Sequence, residues 1–266
     1  MPSLDTRGTL VCQLGGYVPI AVLSLVLVIR YALRRDAGWL FTLIFSLTRI
    51  AGGALIVAGE LTKNSSPDLF DAAYIMFHAG LALLMMASLG FLGLACVTVY
   101  LQNSSLLINT LCRAVAFFLV IAMALAIAGG ILGTHIAPTQ GHVGDILRKT
   151  AAVLYGVCTL VLFVIHLRCW SDRYEMRSYR RRLLGGVLLA FPFLVARVVY
   201  EILAAWSSTD LFGLQPSSNA TLAMFQPITG KWILFLVLGV VCEWVVAAGY
   251  MLSSTVLMDM RRSRRH

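Results

Sequence analysis

Six ionisable residues stand inside apolar stretches that would ordinarily hold none: Arg49, Glu60, Arg197, Glu201, Glu243 and, as a softer member, His78. Such a group at the centre of a bilayer costs about 2.5–3.5 kcal/mol even on a lenient insertion scale. It therefore turns inward, where it pairs, moves protons or holds a ligand. Carboxylates and imidazoles exchange protons, while guanidinium groups hold carboxylates and polar head groups. Arg49 and Glu60 lie about three helical turns apart and share a face, with Gly53 and Ile56 between them. Arg197 and Glu201 are i,i+4 neighbours. Tyr74, Phe77, Tyr200, Trp206 and Trp244 accompany them, and aromatic faces attract cations. Two outcomes stay open. Arg197–Glu201 and Arg49–Glu243 are ion pairs that serve packing alone, or the charges converge on one polar chamber that works.

The elements that must position these residues follow from composition. Of 266 residues, 59% are hydrophobic and 12% charged, against roughly a quarter charged in a soluble domain. Mean hydropathy is +0.86. This excludes a cytosolic enzyme, a secreted disulfide scaffold and a disordered regulator. A bilayer core asks for about 20 apolar residues per helix. Seven stretches qualify, at roughly 11–33, 38–61, 71–100, 114–133, 146–168, 183–206 and 229–256. The fold class is an all-α, seven-span membrane bundle: residues 1–260 form one domain and 261–266 a basic tail. At about 1.5 Å per residue, Arg49, Arg197 and Glu243 fall near mid-depth. Glu60 and Glu201 fall nearer one mouth, with His78 between and Asp71 close by. Glycines at 52, 53, 59, 129, 130, 133, 185 and 186 allow close helix approach. Pro19 and Pro192 sit inside spans one and six, where a kink would open a cavity.

Orientation comes from the basic residues. One side carries Arg30, Arg34, Arg35, Arg113, Arg168, Arg173, Arg177, Arg180, Arg181, Arg182, Arg261, Arg262, Arg264 and Arg265; the other carries only Arg7, Lys63, Arg148, Lys149 and Lys231. The positive-inside rule puts the carboxyl terminus in the cytoplasm and the amino terminus outside or in the lumen; the endoplasmic reticulum is the expected membrane. The net charge of +9 is then mostly a cytoplasmic rim and calls for no nucleic acid. The sequons at Asn64 and Asn219 face the lumen, and that at Asn103 does not. The first span reads as a retained helix, since Met1 to Leu10 lack the basic flank of a cleavable signal. The terminal Arg261–Arg265 cluster reads as an anchor on anionic lipid, and Trp39, Trp206 and Trp232 as interfacial belts.

Other motifs carry less. The six cysteines are scattered singly with no C-x-x-C, and the five histidines show no metal-ligand spacing. Asp172-Arg173-Tyr174 follows the fifth span, whereas the receptor motif it matches follows the third. Lys231 stands at the mouth of the seventh span, which disfavours a retinal Schiff base.

The runs Gly38-Trp39-Leu40-Phe41, Phe45-Ser46-Leu47-Thr48-Arg49-Ile50-Ala51-Gly52-Gly53, Pro192-Phe193-Leu194-Val195-Ala196-Arg197-Val198-Val199-Tyr200 and Phe225-Gln226-Pro227-Ile228-Thr229-Gly230-Lys231-Trp232, with Glu243, carry a resemblance. The chain resembles, over nearly its whole length, an uncharacterised fungal family of seven-helix membrane proteins. It is also similar to the integral membrane terpene cyclases of fungal meroterpenoid pathways, of the ascofuranol and macrophorin kind. That resemblance implies cyclisation of a prenylated, lipophilic substrate, started by protonating an epoxide or olefin. Such chemistry needs a carboxylic acid kept protonated by burial, aromatic walls and exclusion of water. On this reading Glu60 is the first choice of acid and Glu243 the second, with Glu201 a poorer one beside Arg197. Arg49 and Arg197 orient a head group, and His78, Tyr74, Phe77, Tyr200 and Trp244 line the substrate. No D-x-D-D or D-D-x-x-D run is present, so neither metal nor organic cofactor is expected, and no obligate protein partner.

The competing reading is a transporter or sensor for a lipophilic small molecule. Phe45…Arg49 and Phe193…Arg197 recur at equal spacing on spans two and six, as in a parallel three-plus-three repeat.

Overall fold

The computed structural model describes residues 4–31, 37–61, 67–102, 106–133, 138–174, 178–208, 219–227 and 229–262, with 176 and 217. The described chain is helical almost throughout. Its long elements are α1 (Leu4–Tyr31), α2 (Ala37–Leu61), α3 (Pro67–Gln102), α4 (Leu106–Gly133), α5 (Pro138–Ser171) and α6 (Ser178–Ser207). A short helix, α7 (Ala220–Ala223), lies between α6 and the last long stretch. That stretch joins α8 (Trp232–Leu234), a π-helical segment Phe235–Val241 and α9 (Cys242–Arg262).

Among the described residues, six helices are long and apolar enough to cross a membrane, at Gly38–Gly59, Ile75–Ala95, Ile108–Gly133, Gly141–Tyr174, Arg180–Ser207 and Trp232–Ser253. In α1 the apolar helix among the described residues is shorter, Gly15–Ile29. Two helices begin earlier than the apolar stretches at 71–100 and 146–168. Pro67 opens α3 and Pro138 opens α5, because proline at a first helical position has the right φ and gives up a donor that would be orphaned anyway. Pro19 and Pro192 lie within α1 and α6, which continue through them.

Neighbouring helices run up and down. Gly38 near the start of α2 faces Phe91 late in α3, and Gly52 faces Ala73 early in α3. Arg148 near the start of α5 reaches the Ser208 carbonyl just past α6. α3 is the central helix. Two-thirds of its membrane window (67%) is buried, against half or less for the others, and it packs on α2, α4, α5, α6 and α9. Leu81, Leu84 and Met85 of α3, Leu119, Leu162, Leu194 and Val246 make the dry centre. Large apolar side chains such as Ile29, Phe117, Leu160, Leu189 and Leu252 point outward. Apolar outside with charge inside is the arrangement hydrocarbon demands.

α4 and α5 meet through backbone. A Cβ built on Gly144 would lie 2.7 Å from the Gly133 nitrogen and 3.0 Å from the Gly129 carbonyl oxygen. Backbone atoms cannot swing aside as a side chain does. Gly144→Leu is therefore expected to destabilise the bundle by about 1–3 kcal/mol in thermal unfolding in mild detergent. Gly141→Leu, which faces open space, should change little; equal effects would contradict the close approach.

The 208–231 connection contains the run Phe225–Trp232. Gly230 N donates to the Gln226 carbonyl at 3.0 Å and Lys231 N to the Met224 carbonyl at 3.0 Å. The buried Gln226 side chain accepts from the Thr229 hydroxyl at 3.0 Å and from its backbone N–H. The Asp172–Tyr174 motif is a single 3-10 turn. Arg173 there stacks between Trp170 and Tyr174, 4.8 Å from each ring.

Candidate functional site

The buried charges converge. Glu243, at the start of α9, is fully buried. Its Oε1 accepts from Arg49 Nη2 of α2 and from Arg197 Nε of α6, the latter at 2.6 Å. Its Oε2 accepts from the Tyr17 hydroxyl of α1 at 3.1 Å. Arg197 Nη1 donates to Glu201 Oε2 at 2.7 Å, and Glu201 Oε1 meets His78 Nδ1 of α3. One chain, Arg49–Glu243–Arg197–Glu201–His78, thus joins four helices, with α1 as a fifth through Tyr17.

Local sequence explains how each helix offers its member. On α2, Thr42, Phe45, Ser46 and Arg49 share the buried face. The two hydroxyls bond carbonyls of their own helix, Gly38 and Thr42, so Arg49 alone carries polarity across. Gly80 of α3 makes room: a Cβ there would lie 2.8 Å from Arg49 Cζ. Through that gap Arg49 Nη1 donates to the Phe77 carbonyl at 2.8 Å. The Phe77 ring lies 4.2 Å from the Arg49 guanidinium carbon and 5.3 Å from that of Arg197. Phe235 of the π-helical segment packs on Phe77 at 5.1 Å. π-turns inside helices are frequent at functional sites, and this one ends immediately before Cys242-Glu243.

The hydrogen-bond inventory constrains the chemistry. Every partner of Glu243 described above is a donor, so its oxygens act as acceptors. Arg49 Nε and Arg197 Nη2 have no hydrogen-bond partner among the described residues. They leave two buried donors for an incoming acceptor.

Beyond Glu201 lies a cavity of about 20 Å³, lined by His78, Arg148, Tyr155, Glu201 and the alanines at 126, 151, 152, 204 and 205. Its mouth is set by Arg148, whose Nη2 is 3.2 Å from the Ser208 carbonyl. Asp145 bridges Arg148 and Lys149 there, the latter at 2.6 Å. The cavity stands near the start of α5 and the end of α6, about three turns beyond Pro192. Among the described residues no group of three or more His, Cys, Asp or Glu side chains is arranged to hold a metal ion.

Of the residues singled out in the sequence, Arg49, Arg197, Glu201, Glu243, His78 and Phe77 come together. Tyr200 is buried with its ring 5.6 Å from the Arg197 guanidinium carbon. Trp244 does not join them. It is exposed on the far side of α9, and its indole donates to the Gly16 carbonyl at 2.9 Å. The side chains of Glu60, Asp71 and Tyr74 lie outside the described residues. Phe45 and Phe193 are not equivalent, one buried and one facing outward, although both arginines reach the same carboxylate oxygen. Sequence reasoning missed Tyr17, Gly80, Tyr155 and Arg148. A tyrosine or glycine within an otherwise aliphatic span was the only available signal.

Six apolar helices around a buried charge chain define a multi-pass helical membrane protein. Residues 4–260 match the family model described as a domain of unknown function, DUF7702, and the chain belongs to that family. No curated protein and no solved structure matches it.

Proposed function

We propose that this protein is a seven-span membrane carrier whose cycle is linked to a proton. Its cargo is a lipophilic small molecule with a carboxylate or other acceptor head group. The count of basic residues supports a luminal amino terminus and a cytoplasmic carboxyl terminus, and the endoplasmic reticulum is the proposed membrane. In that orientation the cavity opens toward the lumen, as does the exposed Asn219.

The observation that carries this reading is one-sided access to a mid-bundle charge chain. On one side the chain reaches His78 and the cavity. On the other, Phe45, Leu81, Leu84, Met85, Phe91 and Tyr250 close the bundle with almost no exposure. A central site reached from one face only is one state of an alternating-access cycle. With His78 protonated, the chain alternates in sign from Arg49 to His78. Moving the helices apart breaks buried pairs at about 3–5 kcal/mol each, so a change of protonation is a natural release. Arg49 Nε and Arg197 Nη2, which have no hydrogen-bond partner among the described residues, support an acceptor on the cargo.

A second reading, the acid-initiated cyclase, draws support from His78, Glu201 and Tyr155 standing together beside a cavity. Transferable protons are what such a reaction starts with. One experiment separates the two. Proteoliposomes with the cavity end outward receive a farnesylated hydroxybenzoate and its terminal epoxide under an acid-outside gradient. Accumulation above empty vesicles is expected for the wild type and not for His78→Gln, which keeps a hydrogen bond but takes up no proton. Accumulation that ignores the gradient would sink the carrier reading. An isomer of the epoxide found by mass spectrometry, without accumulation, would establish the cyclase instead.

A further inference from the structure

The Tyr155 hydroxyl is the feature the charge chain leaves unused. Tyr155 is 1% exposed, and among the described residues no group hydrogen-bonds its OH. A buried phenol without a partner in protein is unfavourable by about the value of a lost hydrogen bond. Yet this one lines the cavity shared by His78, Glu201 and Arg148. That cavity, at about 20 Å³, exceeds the roughly 10–15 Å³ a water centre needs, and it offers the polar partners a buried water requires.

We infer that the cavity is a hydrated proton-intake site, with water as its ligand and the Tyr155 hydroxyl as the gate between the Arg148 mouth and the His78–Glu201 pair. The inference rests on the proton-linked reading for its purpose, but the hydration itself does not. The transfer is balanced. A hydronium ion at the mouth gives a proton to the phenol oxygen and is left as water, as the phenol passes its own hydroxyl proton inward, across the cavity water, to the His78 imidazole. The ring is left neutral and the imidazole becomes imidazolium. The groups that face this step are Glu201 and Arg197 of α6, Arg148, Asp145 and Cys158 of α5, Arg49 of α2 beside the Phe77 carbonyl, and Glu243 of α9 beyond Arg197. The alanine walls keep the site narrow, of a size that admits water.

Two other tyrosines serve as internal controls. Tyr17 and Tyr250 are equally buried, at 1% and 0% exposure, and do not line this cavity. Hydroxyl-radical footprinting of the full chain in nanodiscs generates radicals from bound water. Tyr155 is expected to be modified several-fold faster than Tyr17 or Tyr250, and Ala205→Leu, which fills the cavity, should bring it down to their rate. Equal rates for all three tyrosines in the wild type would overturn the hydrated site. Tyr155→Phe, which keeps the ring, should slow acid-driven proton uptake by proteoliposomes at least tenfold while leaving thermal unfolding unchanged. Unchanged uptake in this variant would overturn the gate. The footprint is read whether or not anything is carried, so its failure and that of the carrier reading are distinct.

Discussion

Glu243→Gln is expected to lower the stability of the bundle by about 3–5 kcal/mol, the range for removing one partner of a buried ion pair. Glu243 is the one carboxylate on which both Arg49 and Arg197 converge, and Tyr17 adds a third donor. Glutamine fits the space and still accepts a hydrogen bond, but two guanidinium charges then lose their common counter-charge. The same logic sets a test by coupling. Adding Arg49→Met to Glu243→Gln removes one of the stranded cations, so the double variant should be less destabilised than the sum of the single ones. Unfolding in mild detergent, followed by helical circular dichroism, reads all three. Strict additivity, or a loss below about 1 kcal/mol for Glu243→Gln, given the usual range for buried pairs, would show that the carboxylate is not the keystone.

Arg197→Met should be as damaging, for the opposite reason. Arg197 spans two carboxylates, with Nε on Glu243 at 2.6 Å and Nη1 on Glu201 at 2.7 Å. Methionine matches its apolar stem but leaves Glu243 to Arg49 and Glu201 to His78. A loss of about 3–5 kcal/mol is again the expectation. Arg197→Lys discriminates charge from geometry. A lysine restores the charge, but its single ammonium lacks the planar fork that reaches both partners at once, so it should recover less than half of the loss. Full recovery by lysine would mean that charge alone matters and the bridge does not.

Much of this arrangement was legible in the sequence. Charges are so costly in lipid that each of Arg49, Arg197, Glu201 and Glu243 announces an inward face. The i,i+4 spacing of Arg197 and Glu201 fixes their pairing on any helix. Depth counting likewise brought Arg49, Arg197 and Glu243 to one level, where they meet.

What sequence does not give is rotation about each helix axis. Spans that are apolar all round have no polar face to orient them, so nothing in the sequence says which way Tyr17 or Gly80 faces. Trp244 is instructive. Residues one apart on a helix point about 100° away from each other, so once Glu243 faces in, Trp244 faces out. The π-helical segment Phe235–Val241 adds a second obstacle, because counting 3.6 residues per turn from Lys231 fails across it. Helix ends were blurred for another reason. Apolar stretches starting at 71 and 146 leave out Pro67 and Pro138, which begin helices.

In the proposed cycle cargo and proton move together. If they are coupled, a gradient of either must drive the other. The direct measurement imposes an inward gradient of the farnesylated hydroxybenzoate on proteoliposomes with equal pH on both sides and the membrane potential clamped, with a pH dye inside. The wild type should acidify the vesicle interior as cargo enters, and His78→Gln should not. Cargo that enters wild-type vesicles while the interior pH stays constant would contradict the coupling, and with it the role assigned to the Arg49–Glu243–Arg197–Glu201–His78 chain.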